Sequence, residues 1–117
     1  MLGVAGSGNF SSVHKARDNR TGQTRAVKVM KSHEKIGMRE ALLLKTLEHP
    51  NIIRLFDFEQ DSQQTSMVLE YFPENTLELY EGQGSLTEEQ TKCILFQSSL
   101  ALGYVHQRGI IHRDIKP

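Results

Sequence analysis

Residues 87–108 constrain the fold most, because they predict one long helix that is apolar on nearly every side. Thr87 can cap its first turn, Gln90 stands where the capping-box partner belongs, and Gly109 suits a left-handed stop. A helix of this kind needs packing partners on several sides, and the rest of the chain offers few helices. We therefore expect sequence to continue beyond Pro117. The apolar residues of the segment are Ile94, Leu95, Phe96, Leu100, Leu102, Tyr104 and Val105.

The first part of the chain has a different character, with strand patterns and one shorter helix. Residues 9–17 and 24–31 predict two strands joined by a turn rich in Asp, Asn and Gly, which together form a hairpin. Residues 34–47 carry apolar side chains three and four positions apart, which predicts a helix. Pro50 ends this helix, because the residue before a proline avoids helical backbone angles.

Three further elements are predicted before the long helix begins. Residues 52–58 and 65–72 have the composition of strands, and a polar segment joins them. Residues 74–81 predict a short helix.

The composition gives no overall charge that would attract nucleic acid or a membrane, and it leaves local patches of one sign open. The 117 residues carry 14 basic and 14 acidic side chains, so no net field draws the chain to nucleic acid or to a membrane surface. Cys93 is the single cysteine, which indicates a reducing compartment and no internal disulfide. We expect an intracellular protein of the cytoplasm or nucleus, with no nucleic-acid or membrane partner; its oligomeric state is open.

Several short motifs carry residue types suited to phosphoryl transfer. "GSGNFSSV" resembles a glycine loop whose backbone N–H groups cover phosphate, although glycines also mark ordinary turns. Lys28 on a strand and Glu40 on a helix are each uninformative alone, but a phosphate-binding lysine needs a carboxylate to hold it. "MVLEYF" is an apolar strand that runs into a proline-bounded connection. "HRDIKP" places an Asp beside two cations, which suits proton acceptance next to a phosphoryl group.

In this order the motifs resemble the amino-terminal portion of a eukaryotic protein kinase domain of the serine/threonine type. The resemblance rests on the glycine loop, Ala-Val-Lys, the helix Glu, "HPNIIRL", the hinge and "HRDIKP". It implies an α+β fold whose small lobe, residues 1–70, is an antiparallel five-stranded sheet with one helix. A hinge at 71–74 and the first helices of the large lobe at 75–117 would follow.

The resemblance also implies that the protein uses ATP and Mg²⁺ to phosphorylate Ser or Thr hydroxyls of protein substrates. Lys28 would hold the α- and β-phosphates, and Glu40 would orient Lys28. Asp114 would accept or orient the hydroxyl proton, and Lys116 would screen charge on the moving phosphoryl group. His112 would be structural and pack the catalytic loop.

The other implied nucleotide contacts come from the glycine loop, two strands and the hinge. Backbone groups of Glu70 and Phe72 would bind adenine, with Leu69 behind the base. Val13 and Ala26 would cover the ring. The loop contacts would be Gly6, Ser7, Gly8, Asn9 and Phe10, and Asn75 is the candidate for the ribose.

A finer resemblance points to the shaggy-like, or glycogen synthase kinase 3, group. Lys28 and Glu40 are 12 positions apart in the sequence, which is a short linker. Arg39 directly precedes Glu40, and "VLEYFPENTLELY" resembles the hinge of that group. Cyclin-dependent and other related kinases are near alternatives. The group favours substrates already phosphorylated nearby, and Arg39 and Arg113 match two basic residues that read this phosphate. For Arg113, an activation-loop phosphate or carboxylate is an equally good ligand.

Three departures from the family pattern bear on activity. Ser11 replaces the third loop glycine, and Ala5 stands where a larger aliphatic residue often covers the base. The magnesium ligands of the family, an Asn and the Asp of Asp-Phe-Gly, would lie beyond Pro117, so we expect none in this chain.

The alternative function is a non-catalytic, truncated kinase-like module that binds nucleotide or acts as a scaffold. A fragment, an isoform and an incomplete gene model are alternative origins of the chain.

Overall fold

A computed structural model describes residues 3–7, 11–31, 35–73, 82 and 84–115. The chain forms two compact units, the first made of Met1–Glu48 with Ile53–Phe72 and the second of His49–Ile52 with Pro73–Pro117. The division of the chain at residue 70 into a small and a large lobe stays a prediction.

The first unit is built on one antiparallel sheet of five strands, as the sequence predicts. The strand order is β1-β2-β3-β5-β4, so β5 is inserted between β3 and β4. The strands are β1 Gly3–Ser7, β2 Ser11–Arg17, β3 Thr24–Lys31, β4 Leu55–Gln60 and β5 Gln64–Glu70.

Aspartate side chains hold the turns of this sheet. In the β2–β3 turn, Asp18 Oδ1 accepts hydrogen bonds from the N–H groups of Arg20 and Thr21 at 2.9 and 3.3 Å. Hydrogen bonds from Thr21 and from the backbone of Arg20 lower the pKa of Asp18. Gly22 takes the left-handed angle, φ 72°, that lets the chain return into β3. Asp61 accepts backbone N–H groups in the same way in the β4–β5 turn.

The fourth strand begins later than its apolar sequence predicts. The predicted strand started at residue 52, but Ile52 donates its N–H to the His49 carbonyl in a turn, and β4 begins only at Leu55. The fifth strand ends at Glu70, two residues before its predicted end. The predicted helix at 74–81 lies outside the described residues.

The first helix, α1, spans Lys35–Lys45 and buries one face against the sheet. Gly37 and Ala41 are buried and Leu44 packs partly against the core, whereas Leu43 is 46% exposed. The helix packs on β4 and β5. It ends at Lys45 because the following N–H groups bond to carbonyls three residues back, which tightens the last turn.

The core of the first unit lies between α1 and one face of the sheet. Ala26 and Met30 of β3, Met67 and Leu69 of β5, and Ala41 of α1 are each at most 8% exposed. We call the face of β3 that carries Ala26 and Met30 the inner face. Because side chains alternate along a strand, the odd-numbered residues of β3 lie on the opposite, outer face.

The second helix, α2, spans Glu88–Gln107 in the second unit, and its predicted caps are confirmed. The Thr87 side chain accepts the Gln90 N–H at 3.1 Å, and Gln90 Oε1 accepts the Thr87 N–H at 2.9 Å. Gly109 follows the helix with φ 73°. Much of the apolar surface of α2 is exposed, with Leu95 at 61% and Phe96 at 65%. Within the described part of the chain, no helix is both long and apolar enough to cross a bilayer.

We expect the 117-residue chain on its own to self-associate through these exposed apolar side chains, because contiguous apolar patches drive association in water. Light scattering after size exclusion should report dimers or larger species. Replacing Leu95, Phe96 and Leu100 with Ser should shift the chain toward monomer, whereas the triple change Glu88→Gln, Glu89→Gln and Lys92→Gln on the same helix should not. A monomeric wild-type chain that unfolds cooperatively would contradict this expectation.

Candidate active site

A lysine of β3 and a glutamate of α1 form an ion pair in the first unit. Lys28 Nζ donates to Glu40 Oε1 at 2.8 Å and to Oε2 at 3.0 Å. The two side chains are 25% and 36% exposed. A pair at this exposure adds about 1 kcal/mol or less to stability. The pair holds the Lys28 ammonium group in a fixed position. The predicted contact between the two residues is confirmed.

The backbone of the sheet determines where Lys28 lies. Lys28 is opposite Val13 of β2 and Met67 of β5 in the ladder. Side chains directly opposite one another share a face, so all three lie on the inner face with Ala26. The inner face also carries the hydrophobic core of the unit, so Lys28 lies beside apolar core residues on the same face.

Close packing of α1 determines where Glu40 lies. A Cβ added at Gly37 would come 2.7 Å from Met30 Cε and 3.5 Å from Thr65 Cβ. The absence of a side chain at Gly37 therefore lets the helix approach the sheet. Three residues later on the helix, Glu40 reaches Lys28.

The residues predicted to cover adenine from this unit share the inner face. Ala26 and Leu69 are opposite each other in the ladder and nearly buried, and Val13 packs partly against them. Glu70 donates its N–H to the Arg54 carbonyl at 2.9 Å, and the Glu70 backbone is one of the two predicted adenine contacts of the hinge. Phe72 is 59% exposed. Their contacts with nucleotide stay predictions.

The glycine loop is described in part. Gly6 and Ser7 belong to β1 and pair with Val13 and Ser12 of the antiparallel strand β2. The predicted contacts Gly8, Asn9, Phe10, Asn75 and Lys116 lie outside the described residues.

The "HRD" segment of the second unit lies outside the helices and strands of the described chain. Arg113 adopts φ 68°, a left-handed conformation that costs a non-glycine residue about 1–3 kcal/mol. The Asp114 N–H donates to His112 Nδ1 at 3.1 Å. His112, Arg113 and Asp114 are all exposed, so the predicted packing role of His112 is not observed among the described residues. The ring instead accepts a hydrogen bond from the backbone two residues later.

A magnesium site was predicted to depend on ligands beyond Pro117. Magnesium is a hard cation that takes oxygen ligands in a near-ideal octahedron. Across the described ranges, no group of three or more His, Cys, Asp or Glu side chains could hold a metal ion. The magnesium ligands that the resemblance implies stay a prediction.

The family model described as "Protein kinase domain" matches residues 2–117. The chain belongs to the protein kinase family. Human cyclin-dependent kinase 14 is 36% identical over 96% of this chain, and serine/threonine-protein kinase RAD53 of Saccharomyces cerevisiae is 37% identical over 97%. The chain spans only 25% and 15% of those two relatives. Neither relative singles out the shaggy-like group.

A solved kinase structure has the same fold. A crystal structure of Rad53 in complex with AMP-PNP superposes with a TM-score of 0.88 and 35% identity, covering 100% of this chain and 32% of the other. The predicted fold class, a kinase small lobe followed by the start of the helical large lobe, is therefore confirmed.

Sequence reasoning missed one contact of this kinase domain. The sequence predicts only that the "HPN" residues end the first helix, but they form a turn that packs on α2. His49 lies 5.0 Å from the Tyr104 ring between centroids, and the Asn51 amide donates to Gln97 Oε1 at 3.2 Å. His49 Nδ1 also accepts the Asn51 N–H. The only signal was local, a proline flanked by two side chains able to bond to the backbone.

Replacing Gly37 tests how α1 positions Glu40. We expect Gly37→Leu to destabilise the whole protein by about 1–3 kcal/mol, because the added side chain overpacks against Met30 and Thr65. Hydrogen exchange of the α1 amides should accelerate with it. Gly37→Ala is the matched control and should stay near wild type, since the flexible end of Met30 can move. Wild-type stability and exchange in the leucine variant would show that close approach at Gly37 is unimportant.

Proposed function

We propose that the protein is an ATP-dependent serine/threonine protein kinase. The observation that carries the proposal is the Lys28–Glu40 ion pair, which joins a sheet strand to the helix packed on it in a chain of the kinase family. The serine/threonine type is supported by the name of the RAD53 relative and by the "HRDIKP" sequence.

Lys28 acts on the nucleotide as a fixed positive charge. Its ammonium binds the α- and β-phosphate oxygens of ATP, which is a substrate here. The positive charge reduces the electrostatic repulsion between the phosphate groups. Glu40 uses both carboxylate oxygens to hold the long stem in one position. Val13, Ala26 and Leu69 give an apolar surface for the adenine ring.

Asp114 acts on the protein substrate. The Ser or Thr oxygen forms a bond to the γ-phosphorus, the bond from that phosphorus to the β–γ bridging oxygen breaks, and ADP leaves. The hydroxyl proton passes to the Asp114 carboxylate. Lys116 stabilises charge on the transferred group. The protein acts inside the cell, in the cytoplasm or nucleus.

Replacing Lys28 tests this function in the whole protein. We expect Lys28→Met to reduce kcat/KM for phosphorylation of a protein substrate at least about 100-fold, because each tenfold loss is only about 1.4 kcal/mol of transition-state stabilisation. The measurement is transfer of labelled phosphate from ATP, with thermal unfolding as the check on folding. Lys45→Met is the matched control, since Lys45 is an exposed lysine on α1.

Undiminished transfer by the Lys28→Met variant would remove Lys28 from the mechanism. A wild-type protein that binds ATP without transferring phosphate would instead support the alternative of a non-catalytic kinase-like module.

We further propose a preference for substrates that are already phosphorylated, as the resemblance to the shaggy-like group suggests. The support is that Arg39 is exposed on α1 directly before Glu40, and that Arg113 is exposed beside Asp114. A guanidinium suits this role because its planar fork gives phosphate two parallel hydrogen bonds.

The Arg39→Ala variant tests this preference. We expect about a tenfold loss of kcat/KM on a pre-phosphorylated peptide and no change on the same peptide without phosphate, which corresponds to about 1.4 kcal/mol of lost phosphate binding. Lys45→Ala on the same helix should leave both rates unchanged. Equal losses on the two peptides would mean that Arg39 supports the helix or the ATP site, and would remove the argument for the shaggy-like group.

A further inference from the structure

A groove of about 580 Å³ lies on the outer face of the sheet. Val27 of β3 and Val68 of β5 are opposite each other in its floor, and Phe56 of β4 lies beside them. Lys28 and Ala26 lie on the inner face of the same strands. The groove is therefore separate from the candidate active site.

Four arginines line this groove: Arg17, Arg20, Arg25 and Arg54. The acidic residues of the lining are Asp18 and Asp57, which leaves an excess of two positive charges.

The two aspartates already serve the backbone. Asp18 accepts the N–H groups of Arg20 and Thr21, and Asp57 Oδ1 accepts the Phe58 N–H at 2.9 Å. Within the described residues, neither carboxylate forms an ion pair with an arginine of the groove. Asp18 interacts electrostatically with Arg20, and the groove keeps its excess of two positive charges.

Stacking on Phe56 fixes two of the guanidinium groups. Arg25 Cζ lies 3.6 Å from the ring centroid, and Arg54 Cζ lies 5.2 Å from it. A stacked guanidinium keeps its N–H donors in its own plane, where they can form hydrogen bonds at its edge. Arg25 donates one to Gln23 Oε1, but its buried Nε has no hydrogen-bond partner among the described residues.

The shape of the groove selects an extended chain. Its lining comes from β2, β3, β5 and β4, which spans three strand spacings, or about 14 Å. An extended peptide covers that distance with about four residues. Carboxylate or phosphate groups of the peptide meet the arginines, and an apolar side chain meets Val27 and Val68.

Other anionic ligands fit less well. A nucleic-acid base needs an open aromatic face, but Arg25 covers the Phe56 ring at 3.6 Å. A bilayer presents a broad flat surface, whereas these arginines surround a concave floor.

We propose that the outer groove is a docking site for a short acidic peptide segment of a partner protein, about four residues long, with an apolar residue flanked by carboxylates or phosphates. Binding here does not depend on the proposed kinase activity, since no residue of the groove belongs to the candidate active site.

The test is fluorescence anisotropy with the whole protein and labelled peptides. The probes are Asp-Glu-Leu-Glu-Asp, the same peptide with phosphoserine in place of both flanking Glu residues, and Lys-Lys-Leu-Lys-Lys. We expect the acidic peptides to bind and the basic one not to bind. Arg25→Gln combined with Arg54→Gln should weaken binding at least about tenfold. The ratio of the two acidic affinities tells whether carboxylate or phosphate is preferred.

Two further variants keep this test independent of folding. Arg17→Gln with Arg20→Gln changes exposed side chains that do not stack on Phe56, and should still weaken binding about threefold or more. Lys31→Gln with Lys45→Gln removes the same charge outside the groove and should leave binding unchanged. Phosphotransfer to a short peptide should be unaltered in all three.

Three results would overturn the proposal. The first is that neither acidic peptide binds. The second is that both arginine variants bind the acidic peptides with the affinity of the wild type. The third is that the Lys31 and Lys45 control loses as much affinity as the arginine variants. Tighter, arginine-dependent binding of an oligothymidine or of phosphatidylserine vesicles would assign the groove to nucleic acid or membrane instead.

Discussion

The close packing of α1 on the sheet is the constraint on which the first unit depends. Two positions with little or no side chain, Gly37 and Ala41, face the sheet and let the helix approach Met30 and Thr65. Glu40 lies between them in sequence, so its direction is determined once they are buried. The ion pair with Lys28 is therefore a consequence of packing. An interaction worth about 1 kcal/mol could not position a helix by itself.

Strand β3 serves both faces of the sheet, and the core determines which residue faces which way. Burial of Ala26 and Met30 fixes the register, since a slip of one residue would expose both. Lys28 is thereby kept on the inner face, and Arg25 on the outer one. The outer groove and the candidate active site are two results of a single alternation along one strand.

Local patterns predicted most of this fold, and contacts distant in sequence account for the errors. Periodicity, turn residues and resemblance predicted the first hairpin, both described helices, the capping box at Thr87 and the Lys28–Glu40 contact. The late start of β4 was not predicted from local patterns. His49 and Asn51 contact α2 residues far along the chain, and no local sequence window contains these contacts. The outer groove needs the strand order of the whole sheet. The nucleotide contacts and the role of Asp114 remain predictions.

In the "HRD" segment of the second unit, a left-handed residue lies beside a hydrogen bond from the backbone to a histidine ring. The left-handed Arg113 costs about 1–3 kcal/mol, while the bond from the Asp114 N–H to His112 Nδ1 returns about 1 kcal/mol. The hydrogen bond offsets part of that cost, and its acceptor is the exposed His112 ring. An imidazole that accepts at Nδ1 must carry its proton on Nε2, and a doubly protonated ring has no acceptor. The direction of the Asp114 backbone is thus linked to the tautomer of the residue two positions before it.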